Sequence, residues 1–80
     1  MRKKFNHQDV AIVDIGNGKF ATVCINTYEE LETNEVIDFI LEKSSSNLVL
    51  HLPVVIDKIL KVEETDIPGM KKYYVNVYLS

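Results

Sequence analysis

The side chains able to do covalent or metal chemistry in this sequence are few. Cys24 is its one cysteine, and His7 and His51 are its two histidines. A nucleophilic cysteine needs a base beside it and a polar, partly open setting that lowers its pKa. Cys24 sits instead in Lys19-Phe20-Ala21-Thr22-Val23-Cys24-Ile25, an apolar and β-branched run, and is expected to be a packing residue. The histidines are far apart and match no zinc spacing. Lys19 is followed by Phe20 and lacks the upstream glycine spacing of a Walker loop. A non-enzyme with no catalytic residues, no cofactor and no metal is the expectation.

Charge is the more informative chemistry. Between Tyr28 and Glu42 stand Glu29, Glu30, Glu32, Glu35, Asp38 and Glu42 with no base among them, a charge of -6, while the remainder of the chain carries +3. Such a segment would steer a partner with a basic surface toward it, a protein rather than a nucleic acid. A second candidate surface is the even face of Lys72-Tyr73-Tyr74-Val75-Asn76-Val77-Tyr78-Leu79, which presents Tyr74, Asn76 and Tyr78. Two tyrosines bracketing an asparagine offer amphipathic contact area for a homodimer or a docked partner, or pair with neighbours inside the sheet. The same tyrosines, with Phe5 and the bases Arg2, Lys3, Lys4, Lys71 and Lys72, form the alternative surface, one that would stack single-stranded nucleic acid. A pI near 5.2 weighs against a dedicated module of that kind.

The elements that must position these residues follow from periodicity. In Lys72 to Leu79 the odd residues Tyr73, Val75, Val77 and Leu79 alternate with polar or amphipathic ones, the period-two signature of a half-buried strand. Val10 to Ile15 and Lys19 to Ile25 flank Gly16-Asn17-Gly18, and Asn-Gly supplies the positive φ angles of a tight hairpin turn. With Asn17-Gly18 as a two-residue loop, Ile15 would face Phe20, Val13 would face Thr22 and Ala11 would face Cys24. Val10 with Ile25 and Ile12 with Val23 would fall on the opposite side. Both faces are apolar, so cover on both sides or a subunit interface is implied. Asp14-Ile15-Gly16-Asn17-Gly18 also resembles the opening hairpin of the actin-like ATPases, where an Asp before a glycine-rich turn holds metal and phosphates. The resemblance spans about a dozen residues, Val10 to Val23. The chain lacks the length for the further nucleotide segments of that family, and a hairpin turn accounts for the motif.

Thr27 with Glu30 matches a capping box, with Thr33 or Asn34 as an alternative cap one turn later. Val36, Ile37, Ile40 and Leu41 then form a helical stripe, with Glu35, Asp38 and Glu42 on another face, and Ser44-Ser45-Ser46-Asn47 would end the helix. Leu48 to Leu52 alternates as a strand that Pro53 would interrupt. Val54 to Glu63 fits either a strand, with Lys58 out of place, or a helix carrying Val55, Ile56, Ile59 and Leu60. Pro68-Gly69 marks the turn into the last strand.

The 80 residues make one domain, 1-80, with 1-8 a loose arm or a first half-turn. A single cysteine, no apolar run long enough for a membrane span and no leader-like opening point to a cytoplasmic protein. The fold expected is α+β: a small antiparallel sheet of four to five strands with one helix packed on one face, ββαβββ or ββαβαβ. Function is expected to be protein-protein interaction: an inhibitor-like or accessory module of the kind phages and mobile elements encode. It would act as a homodimer and bind a host protein through the acidic helix or the tyrosine face.

Overall fold

The structure is a computed structural model that describes residues 2–6, 8–16, 19–43 and 48–79. It contains six strands: β1 (Lys4–Asn6), β2 (Val10–Ile15), β3 (Phe20–Thr27), β4 (Val36–Lys43), β5 (Leu48–Glu64) and β6 (Lys71–Leu79). They form one mixed sheet in the order β1-β4-β5-β6-β3-β2, antiparallel throughout except where β1 runs parallel to β4. A flat sheet of this size would hold its edges roughly 24 Å apart. Its edge strands, β1 and β2, are separated in the chain by residues 7–9 alone, which span at most about 14 Å from strand end to strand end. The sheet therefore curls until its two edges are joined. The Asp9 amide donates to the Asn6 carbonyl (3.0 Å), and the Asn26 amide donates to the Asp9 carbonyl (2.9 Å), fixing the corner to β3.

The core fills the inside of this open barrel. Phe5, Val23, Ile25, Ile37, Phe39, Val54, Ile56, Tyr73, Val75 and Val77 are buried there, and Leu31 from the β3–β4 connection joins the same cluster. The odd residues of β6 point inward as their alternation requires, and Tyr74, Asn76 and Tyr78 stand on the outer face, half-buried. Among the described residues no helix is long and apolar enough to cross a membrane.

The expected α+β architecture does not form, for no described residue is helical. The acidic helix of residues 35–42 is strand β4, in which Ile37 and Phe39 are buried while Val36, Asp38 and Ile40 are half-buried. Three local facts work against the helix. Glu35 and Asp38 at i, i+3 and Glu42 four residues further would repel one another with no base to offset them. Thr27 does not cap: its hydroxyl accepts from the Glu29 amide (2.9 Å) in a short side-chain turn. Asn34 has a φ of 70°, a left-handed conformation that breaks a helix at the position proposed to begin it. Pairing then decides the outcome, since the Asn34 amide donates to the Ile56 carbonyl (2.7 Å) and the Ile56 amide to the Glu35 carbonyl (2.9 Å).

Residues 54–63 belong to β5, which runs unbroken through Pro53. Ile56 turns its amide and carbonyl toward the start of β4, so by alternation those of position 53 face the β6 side. The β5–β6 pairing begins at Val54 opposite Leu79, so proline's missing donor lies just past the end of β6, where no ladder bond is lost. The helix-like spacing of this segment has a separate cause. The register shifts between Ile56 and Lys58 and again between Ile59 and Lys61, each shift inserting one unpaired residue. Ile56, Ile59 and Val62, three apart, thereby meet Val77, Val75 and Tyr73, two apart, and Lys58 and Lys61 oppose Asn76 and Tyr74 on the outer face. A bulged strand imitates a period near three.

Candidate functional site

Among the described residues the end of the barrel at Ile15 and Phe20 is open. There the inward residues of five strands and the last residues of β6 surround a cavity of about 330 Å³. Phe5, Phe39, Val54, Val23, Ala21 and Val77 line it, while Ile12, Ile15, Leu52 and Leu79 lie nearer its mouth; Phe20 and Tyr78 also border it, and Lys19 and Asn6 add polar groups. An apolar cavity of roughly 150 Å³ already holds a benzene-sized guest, so this one has room for two large side chains.

The mouth is apolar because of one inserted residue. The hairpin pairs Val10 with Ile25, Ala11 with Cys24 and Ile12 with Val23, the register expected from sequence, and then slips by one at Val13. The loop is also one residue longer than expected, for the Gly16 amide donates to the Phe20 carbonyl (2.9 Å), and Ile15 pairs with Ala21 instead of Phe20. The turn residues Asn17 and Gly18 lie outside the described residues. Strict alternation from Ile12 would aim Asp14 into the cavity and Ile15 out of it. The bulge reverses this: Ile15 lines the cavity and Asp14 does not. Ile12 and Ile15 are each 65% exposed and Val13 57%, unusual for a strand of this composition. Among the described residues strand β2 is also an edge of the sheet, with its outer side unpaired.

The acidic residues do not share one face. Glu29, Glu30 and Glu32 are exposed on the β3–β4 connection, the first two beside Lys71, Gly69 and Tyr28 in a polar cleft away from the cavity. Glu35 accepts from the Glu32 amide (3.1 Å) and pairs with the Lys3 ammonium (2.9 Å). Lys3 also donates to the Glu30 carbonyl. The hydrogen bond to Glu35, together with the nearby charges of Glu35, Glu29 and Glu32, raises the pKa of Lys3 despite partial desolvation. Asp38 pairs with Arg2 at 3.5 Å, and Glu42 stands on β4 opposite Val49. The basic start of the chain thus folds onto the acidic segment, where Lys3 pairs with Glu35 and Arg2 with Asp38.

The tyrosine face is also engaged by its neighbours. Tyr78 packs against Phe20 with ring centroids 5.8 Å apart. Asn76 accepts from the Thr22 hydroxyl at 2.7 Å, and the Lys61 ammonium lies 5.9 Å from the centre of the Tyr74 ring. Phe5, a member of the proposed nucleic-acid surface, is buried in the barrel interior, on the opposite side of the sheet from Tyr74. Cys24 is buried on β3. It reaches Lys61 through Tyr74, whereas exposed His51 lies ten positions further along β5, roughly 30 Å away. The fold therefore does not bring these two together.

Sequence reasoning missed the cavity mouth because it assigned Ile12 and Ile15 to opposite faces of a regular hairpin. The available signal was the apolar character of both faces. No protein-family model matches the chain, and neither curated proteins nor solved structures give a significant match to it.

Proposed function

We propose that this protein is a small non-enzymatic interaction module that receives apolar side chains of another polypeptide in the open end of its barrel. One observation carries the reading: Ile12, Ile15, Leu52 and Leu79 stand exposed around an apolar cavity of about 330 Å³. Leaving such a surface in water is unfavourable by about 25 cal/mol per Å², and covering it drives association. An accessory or inhibitor-like role is compatible with this surface, since occupying a partner is sufficient for it.

The test is a peptide-display selection on the wild-type protein with Ile12→Asp as the comparison. Ile12 is mostly exposed, so the variant should fold. The enriched peptides are expected to carry paired large apolar residues. A bound aliphatic or aromatic side chain contributes about 1.5–3 kcal/mol, so affinity for Ile12→Asp should drop about 10- to 100-fold. Peptides that bind both proteins equally would refute the proposal.

A further inference from the structure

We infer that the open edge of β2 pairs, antiparallel and about a two-fold axis, with β2 of a second copy of this chain; the inference rests on the reading of the apolar mouth as a docking surface and names one occupant for it. The first argument is the backbone. Gly16 donates toward β3 and the Asp9 carbonyl accepts from it, so by alternation Val10 and Ile15 turn their amides and carbonyls to the open side. If the axis passes between Ile12 and Val13, Val10 of each copy meets Ile15 of the other. Both positions then have their backbone groups aimed at the partner, and each pair exchanges two hydrogen bonds.

The side chains obey the same symmetry. Opposed residues in an antiparallel pair share a face. Val10 and Ile15 both line the cavity, and Ala11 and Asp14 both point away from it. Without the bulge at Val13, residues 10, 11, 14 and 15 would not mirror one another about the axis; with it those four do, while Ile12 and the bulged Val13 meet at the axis itself. In this register each Asp14 opposes Ala11, and the two Asp14 carboxylates stay roughly 10 Å apart.

Ile12, Val13 and Ile15 are more than half exposed along the open edge, and Leu52 and Leu79 extend the apolar surface beside them, the apolar contact that an interface of about 1,000 Å² in total requires at its centre. The other edge of the sheet is not equivalent. Strand β1 has three residues, and Arg2 and Lys3 beside it are held in ion pairs.

Val13 sits at the proposed axis, is exposed and does not line the cavity, so it can carry a charge without disturbing the fold or the mouth. The experiment is sedimentation equilibrium on wild type, Val13→Asp, Val13→Lys and an equimolar mixture of the two variants. Wild type is expected at twice the 9.2 kDa chain mass. Each variant should dissociate at least tenfold more readily because like charges meet across the axis, and the mixture should recover the dimer. A monomeric wild type, or variants that dimerise unchanged, or a mixture that fails to recover would overturn the inference. Peptide binding separates this from failure of the parent reading. A monomeric wild type that binds the selected peptides overturns the dimer alone, and a dimer whose peptides ignore Ile12→Asp overturns the peptide-binding role alone. Val13→Asp should bind those peptides at least as tightly as wild type, because the partner no longer shields the mouth.

Discussion

Replacing Phe39 by Ala tests the placement of β4 more directly than any other single change. Phe39 is 8% exposed, pairs across β4–β5 with Leu52 and faces Phe5 on β1. Its neighbour Ile40 is half-buried on the outer face, opposite His51. Buried Phe→Ala changes cost about 3–5 kcal/mol through lost transfer and a cavity. Because one side of Phe39 borders space that is already open, the lower figure, about 3 kcal/mol, is expected. Ile40→Ala removes a smaller, partly solvated group and should cost about 1 kcal/mol. The assay is urea unfolding followed by far-ultraviolet circular dichroism at fixed protein concentration, with unchanged slope required so that midpoint shifts report stability. For a domain of this size 1 kcal/mol corresponds to about 4–8 °C in Tm, so the two variants should separate clearly on heating as well. A helix over residues 35–42 would place Ile40 in the core stripe and Phe39 outside it. If Ile40→Ala proved the more damaging change, the strand assignment and the cavity built on it would both fail.

Two further changes probe the polar framework. Lys3→Met removes the ion pair with Glu35, which should cost about 1 kcal/mol at neutral pH because the pair is only partly screened. The Lys3 pKa is raised above its ordinary 10.5, so its contribution is fully present below that value and disappears as pH rises through the higher folded value. The urea midpoints of wild type and Lys3→Met should therefore converge in alkaline solution, and a gap that persists there would exclude the pair as its cause. The Asn26 side-chain oxygen is buried with no partner among the described residues, a condition that costs about 1–3 kcal/mol. Asn26→Val, β-branched and apolar on the same strand, should raise stability by about 1 kcal/mol in the same unfolding assay; a loss would show that the oxygen is satisfied in solution.

Some of this molecule was legible in the sequence because the cause was local. The alternation of Tyr73, Val75, Val77 and Leu79 needs only the pleat of a strand, and β6 has those residues buried or facing the core side. The antiparallel pairing of β2 with β3 and the antiparallel return of β6 onto β5 were legible from the breaker residues between them, and both pairings are present, the first with a loop one residue longer than expected. The register of Val10, Ala11 and Ile12 matches the expected one only because the extra loop residue and the bulge at Val13 cancel.

What the sequence could not show is where alternation breaks. A bulge is one residue left without a partner, so it exists only in relation to the opposing strand. Val13, Asp57 and Leu60 look ordinary until β3 and β6 lie beside them. Those three insertions convert a regular pattern into one that reads as helix in residues 54–63, and they aim Ile15 rather than Asp14 at the cavity. Strand β4 was lost for a different reason, since its pairing with β5 is regular throughout. Its stripe of Val36, Ile37, Ile40 and Leu41 suits either period, and only the bonds between Ile56 and residues 34 and 35 select the strand. The cavity mouth belongs wholly to the tertiary level: residues from β2, β5 and β6 meet there because a three-residue link between the sheet's edges compels it to curl. Local chemistry determined which segments are extended and where the chain turns; closure of the sheet decided which side chains face each other, and with that the surface available for binding.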